Sequence, residues 1–181
     1  MRMKALREYD IAFVGLKEGQ HTFDYKIENS FFELFEFNEF NSALVEVLVT
    51  LNKKSTLLEL NYKATGSVNV NCDLSNEPFN LPIESTLDMI VKFGDVYDDN
   101  GEDIITIPRS EHKVNIAQYL YEMLVLAVPS KRIHPGIEDG TLDSDILRKL
   151  EELQPRTDNK VQNIEETDPR WDSLKKLLTD K

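Results

Sequence analysis

The chain has 181 residues and a formal net charge of −12, because 33 Asp and Glu side chains outnumber 21 Lys and Arg side chains. This length predicts one domain, with or without a tail, and the acidic charge disfavours a wide nucleic-acid groove because phosphate backbones are repelled. The single cysteine, Cys72, excludes an intrachain disulfide and cannot by itself form a thiolate zinc site. No apolar run has the length of a signal-peptide core or a membrane span, so we expect a cytoplasmic protein without membrane contact.

The sequence up to Lys54 predicts three strands and one short helix. Residues 9–16 and 22–27 are predicted strands, and in the second of them apolar residues alternate with polar ones. Residues 30–37 are rich in Phe and fit either a short helix or a strand, and we favour one or two helical turns. Residues 43–51 are strand-like, since every second side chain is apolar and faces the same side.

The longest signal is a predicted β-hairpin over residues 57–93. Apolar side chains occupy even positions in its first arm and odd positions in its second arm. Such period-two alternation is typical of strands with one buried and one exposed face. Residues 73–78 between the arms are mostly turn formers. We expect a bulge or bend at Gly66, and an edge or bulged position at Pro82 because proline has no backbone donor.

Residues 95–103 carry many acidic side chains but do not match a calcium-binding loop. If Gly101 takes the sixth position of such a loop, Val96 and Ile107 fall at the first and twelfth positions, where carboxylates are needed. We interpret the stretch as an exposed loop with a tight turn around Gly101. A short strand at residues 104–107 follows it.

The strongest helix signal begins after Asn115, a good N-cap residue. Apolar side chains at helical spacing run through residues 116–127, so we expect this helix to be well buried against the sheet. Pro129 ends it. After an irregular stretch, a further helix with one apolar face is predicted over residues 142–153.

These elements predict an α+β fold, in which an antiparallel β-meander or a partly open barrel is packed by one long central helix, with short helices at the C-terminal end. Residues 1–154 would form the single domain. Residues 155–181 would form a flexible tail with a short amphipathic helix, which has Pro169 at its first position and includes Trp171.

The sequence contains no Gly-x-Ser-x-Gly elbow, phosphate loop or dinucleotide fingerprint, and we expect a non-catalytic protein without a cofactor. Cys72 lies on the apolar face of its strand, where a small buried side chain is expected rather than a reactive thiol. Glu122 would need a partner if buried in the central helix, or else lies at its wet edge. Two basic groups flank that helix and fit either solvated loops or contacts with RNA or a partner: Arg109, His112 and Lys113 before it, and Lys131, Arg132 and His134 after it.

Three blocks of the sequence resemble the pattern of one known family. Residues 68–79 (VNVNCDLSNEPF) are similar to a strand that ends in a Cys-x-x-Cys turn and Pro-Phe. Residues 114–134 (VNIAQYLYEMLVLAVPSKRIH) resemble a central helix with an inward glutamate, a terminal Val-Pro and a later histidine, and residues 168–177 (DPRWDSLKKL) resemble a common ending. The family that these blocks resemble is the YceD family, the large ribosomal RNA subunit accumulation proteins, and the order and spacing fit most of the chain from about Ala43 onward.

The resemblance implies a non-catalytic role in ribosome assembly, in contact with pre-ribosomal RNA or with a large-subunit particle. The sequence departs from the family pattern at Ser75, which stands in place of the second cysteine, and it lacks a later cysteine after the histidine. A zinc site suggested by the cysteines of other members would lack half its ligands here, so we predict a metal-free protein. The positions that match the pattern are Cys72, Pro78, Phe79, Glu122, Pro129 and His134.

Two other functions stay open at this point. The charge of −12 and the acidic segments fit an escort for a basic ribosomal protein, whose binding would be salt-sensitive. An enzyme, for instance a nuclease with a metal at residues 95–103, has only that acidic stretch in its favour.

Overall fold

The computed structural model describes residues 5–99, 103–142 and 145–153. Within them the strands form a six-stranded sheet of order β2-β3-β4-β5-β7-β6 and a separate two-stranded sheet of β1 and β8. A short 3-10 turn, Leu6–Tyr9, precedes β1. The elements are β1 Asp10–Ala12, β2 Gly19–Glu28, α1 Asn29–Glu33, β3 Ser42–Lys53, β4 Leu57–Asn71, β5 Pro78–Gly94, β6 Asp98–Asp99, β7 Ile104–Pro108, β8 Lys113–Asn115, α2 Ala117–Leu126, α3 Pro135–Glu138 and α4 Asp145–Leu153.

The predicted hairpin is confirmed as β4 and β5, which pair antiparallel from Leu57 opposite Lys92 to Asn71 opposite Pro78. The alternation works as expected, because the even side chains of β4 meet the odd side chains of β5 on one face. Leu60 pairs with Met89 and Tyr62 pairs with Leu87 in this register. The buried face continues into β3, so the core side of the sheet is apolar across three strands.

Gly66 does not form the predicted bulge, since the register runs through it without interruption from Val45 on β3 to Ile83 on β5. Its role is a close approach of two strands: a Cβ atom at this position would lie 2.6 Å from the Cα atom of Val45. Pro82 is at a sheet edge as predicted, because β7 pairs with β5 only from Ile90 onward.

The α+β class is confirmed, and the predicted antiparallel meander describes β2 to β5. The sheet is not closed, and a parallel pairing of β5 with β7 makes it a mixed sheet. The prediction of one long central helix is wrong. The central helix α2 is not long: it has ten residues and spans about 15 Å at the usual rise. It begins later than the apolar stripe does, and the side-chain oxygen of Asn115 accepts from the Ala117 N–H at 3.1 Å.

Helix α2 packs one face on the sheet and one edge on an aromatic cluster. Its buried side chains are Ala117, Leu120, Met123 and Leu124. The ring of Tyr121 stacks on Phe35 with 4.3 Å between centroids, next to the phenylalanines of α1 and of the turn after it. The predicted short helix at residues 30–37 is confirmed over five residues, Asn29–Glu33, and Phe35 in the turn after it makes the contact with α2.

Helix α4 confirms the predicted helix near residues 142–153, but none of its side chains is buried. The expected tail at residues 155–181, the helix around Trp171 and the tight turn around Gly101 all lie outside the described residues. No helix in the described part of the chain is long and apolar enough to cross a membrane.

Candidate functional site

Two loops that lie far apart in the sequence meet at one end of the hairpin. The backbone N–H of Asp73 donates to the carbonyl oxygen of Arg132 at 2.8 Å, and the N–H of Arg132 donates back to the Asp73 carboxylate at 2.6 Å. These reciprocal bonds tie the turn after β4 to the loop after α2. We call this contact the turn–loop junction; its residues are Cys72, Asp73, Ser75, Phe79, Arg132 and His134.

The thiol of Cys72 lies at the centre of the junction and is buried. Its sulfur accepts a hydrogen bond from the backbone N–H of His134 at 3.3 Å. Burial alone would raise the pKa of the Cys72 thiol, but hydrogen bonds from Ser75 and from the amides of His134 and Leu74 outweigh it and hold the pKa below its ordinary value. The expectation of a buried side chain is confirmed, and the sulfur also accepts hydrogen bonds.

His134 completes the junction by packing and by capping. Its ring contacts the ring of Phe79 with 5.4 Å between centroids, and its Nδ1 accepts from the Gly136 N–H at 2.9 Å. It is thereby the N-cap of α3, and its ring orientation is set by the backbone that follows it. Three of the family-matched positions, Cys72, Phe79 and His134, are brought together here.

The donor set of the junction does not fit a tetrahedral zinc site. Ser75 is buried in place of a second cysteine, and its hydroxyl oxygen accepts from the Glu77 N–H at 3.3 Å. The Nδ1 atom of His134 is already an acceptor. Among the described residues, no group of three or more His, Cys, Asp or Glu side chains could hold a metal ion.

The second basic group, which comprises Lys131, Arg132 and His134, contains one paired cation and one exposed cation. The Arg132 guanidinium lies 3.5 Å from the Asp73 carboxylate and 3.6 Å from the Glu39 carboxylate, and its side chain is partly buried. Lys131 is exposed and has no ion pair within the described part of the chain. Arg132 therefore helps to hold the junction, while Lys131 presents a free charge beside it.

The first basic group lies at the opposite end of α2. Arg109 and His112 are exposed, as the sequence predicted for a loop. The predicted loop position is wrong for Lys113, which belongs to β8 and forms an ion pair with Asp10 of β1. Because its charge is used to join the two strands, Lys113 is a weaker candidate for an RNA contact than Arg109.

Glu122 lies at the exposed edge of α2 and not inside the core. Its carboxylate accepts from the Gln118 side chain at 2.6 Å, one helical turn earlier. It faces a groove between α2 and β5 rather than the turn–loop junction. The seven site residues predicted from the sequence therefore fall into three separate places.

A ladder of asparagine side chains, which was not predicted from the sequence, lies on the exposed face of the sheet. Asn41 donates to Asn69 at 3.0 Å and to Asn71 at 2.8 Å, and Asn69 donates to Asn80 at 2.7 Å. Asn71 directly precedes Cys72, so the ladder adjoins the turn–loop junction. Primary amides offer both donors and acceptors, as unpaired bases require. In the sequence, the asparagines at the alternate positions 69 and 71 are the signal from which this ladder could have been predicted.

These features define an α+β protein whose open mixed sheet carries a tight turn, clamped by hydrogen bonds to the loop after its main helix. The family model described as "Large ribosomal RNA subunit accumulation protein YceD" matches residues 60–178, more than half of the chain. The chain belongs to the YceD family, as the resemblance implied. No curated protein and no solved structure matches it at a significant level.

Proposed function

We propose that this protein is a non-catalytic ribosome-biogenesis factor that supports the accumulation of large-subunit ribosomal RNA. Membership of the YceD family carries the proposal, because the family is named for that role. The buried Cys72, which acts as a hydrogen-bond acceptor inside the junction, supports a structural role for the one thiol of the chain.

The surface next to the turn–loop junction is the proposed contact with pre-ribosomal RNA or a large-subunit particle. Lys131 supplies a free cation, and the asparagine ladder supplies neutral donors and acceptors on the adjoining sheet face. A chain of net charge −12 is repelled by RNA at long range, so the contact must be local and short. It should therefore involve few phosphates and show a shallow salt dependence.

Replacement of Lys131 by Ala should weaken co-sedimentation with large-subunit particles, because one phosphate contact is lost and the fold is untouched. Lys17→Ala is the matched control, since Lys17 is also exposed but lies in the turn before β2. Binding is measured over a salt series. In a plot of the logarithm of the binding constant against the logarithm of the salt concentration, the slope for Lys131→Ala should be smaller in magnitude by roughly one. Equal co-sedimentation of the two variants at every salt concentration would reject this surface.

A second candidate function is an acidic escort for a basic ribosomal protein. It is favoured by the net charge of −12 and by a group of acidic side chains around the α2–β5 groove, where Glu122, Asp103 and Asp99 lie. An escort should keep its partner after nuclease treatment and release it at high salt. Loss of every partner on nuclease treatment would exclude this function and favour direct RNA contact.

A further inference from the structure

Strand β5 has an open edge along part of its length. Its residues before Ile90 pair with β4 on one side, and the described strands leave the other side empty. The N–H of Ile90 donates to the carbonyl of Asp103, so it points to the β7 side of β5. Because the direction of the backbone N–H and C=O groups alternates along a strand, those of Thr86 and Asp88 point to the same side, which is the open edge. Pro82 has the same parity and offers only its carbonyl group.

A groove of about 560 Å³ runs along this open edge. One wall is β5 and the other is α2, and both walls contribute apolar side chains, among them Leu87, Met123 and Leu126. Leu126 is 82% exposed although it is a large aliphatic side chain. A volume of this size matches the range of about 300–1,000 Å³ found for ligand pockets.

The charge around the groove is negative. Asp103 and Glu122 line it, and Glu84 and Asp88 are exposed on the outer face of the same stretch of β5. Within the described residues none of these four carboxylates has a cationic partner. Successive side chains of an extended peptide point to opposite faces. In a strand added here, every second side chain would therefore lie over the apolar walls, and the side chains between them would point toward Glu84 and Asp88.

We propose that the α2–β5 groove binds an extended basic segment of a protein partner, as an added strand on the open edge of β5. The segment that fits has apolar residues alternating with Lys or Arg. Backbone hydrogen bonds to Thr86 and Asp88 would give affinity, while the carboxylates and apolar walls would select the alternating pattern. The inference rests on the second candidate function above for the class of partner, and it does not involve the turn–loop junction.

The first experiment uses a synthetic nine-residue peptide of alternating Lys and Val and measures its dissociation constant with the full chain at two salt concentrations. Two derivatives carry N-methyl groups on alternate residues, one on the odd set and one on the even set. Strand addition uses the N–H groups of only one set, so one derivative should bind at least tenfold more weakly and the other within about twofold. Equal effects of the two sets would overturn the proposal and indicate charge attraction alone.

Variants of the protein give a second line of evidence. Thr86→Pro removes an N–H that points to the open edge and leaves the hydrogen bonds between β4 and β5 intact. Glu122→Gln removes one carboxylate of the groove. Each variant should bind the unmethylated peptide several-fold more weakly. Asp24→Asn on β2 is the matched control, because it removes an exposed carboxylate at the far side of the sheet. The peptide derivatives keep the test decisive if Thr86→Pro fails to fold. Self-association that Thr86→Pro abolishes would assign the edge to a second copy instead and reject the proposal.

Failure of this inference can be separated from failure of the escort function. If a basic partner survives nuclease treatment but Glu122→Gln and Thr86→Pro retain it fully, the escort function stands and the groove is not its site. If no basic partner survives nuclease treatment while the peptide binds with the expected N-methyl pattern, the groove recognises extended basic segments and the escort function fails.

Discussion

Gly66 provides the sharpest test of the strand arrangement, because the structure leaves no room for a side chain there. In Gly66→Ala the new Cβ would lie 2.6 Å from the Cα of Val45 and still closer to the carbonyl oxygen of Leu44. Both contacts are backbone atoms in a paired strand, so neither can rotate away. Overpacking costs about 1–3 kcal/mol, and because both contacts here are rigid we take the upper end, about 3 kcal/mol; the lower chain entropy of unfolded alanine returns about 0.4–1 kcal/mol. We therefore expect a net loss of about 2 kcal/mol.

A loss of about 2 kcal/mol should lower the Tm by roughly 4–8 °C for a chain of this size. The measurement is thermal and urea-induced unfolding, followed by far-UV circular dichroism. Gly15→Ala is the control, because a Cβ atom at Gly15 would meet no other atom within 4 Å. If the two variants unfold within a degree of each other, the close approach of β3 and β4 at Gly66 is refuted.

Two further substitutions test the turn–loop junction and the β1–β8 pair. Cys72→Ala should destabilise the fold by about 1–3 kcal/mol in urea unfolding, because the part-buried His134 N–H loses its acceptor, whereas Cys72→Ser should cost less. Equal losses would contradict this. Burial alone would raise the pKa of Asp10. Hydrogen bonds from Lys113 and Asn115 together outweigh this effect and hold the pKa of Asp10 below its ordinary value. Asp10→Asn should therefore cost roughly 1 kcal/mol at pH 7. That difference from wild type should shrink as the pH falls below about 4, and a pH-independent difference would refute the pairing.

The local pattern of the sheet was predictable from the sequence because side-chain parity is a local property. The switch from even to odd apolar positions across the turn gave the correct facing of Tyr62 and Leu87. The edge position of Pro82 followed from its missing donor. Gly66 was misjudged, since the sequence alone cannot tell a bulge from a close approach of two strands.

The longer-range features had no local signal. The parallel pairing of Ile90 with Ile104 depends on how the chain returns after β6. The ion pair of Lys113 with Asp10 exists only because β8 pairs with β1, more than 100 positions earlier in the sequence. Helix α2 was expected to be longer because the apolar stripe continues past Leu126, whose side chain is exposed in the groove. The family resemblance indicated that Cys72 and His134 matter, but their contact across 62 positions is visible only in the fold.

The most direct test of the proposed function is the ratio of large- to small-subunit ribosomal RNA in cells depleted of this protein, with the precursor ends mapped. The account predicts a selective fall in the large-subunit RNA, restored by the wild-type chain and by Lys17→Ala and restored less well by Lys131→Ala. An unchanged ratio after depletion would contradict the proposed role in the accumulation of large-subunit ribosomal RNA.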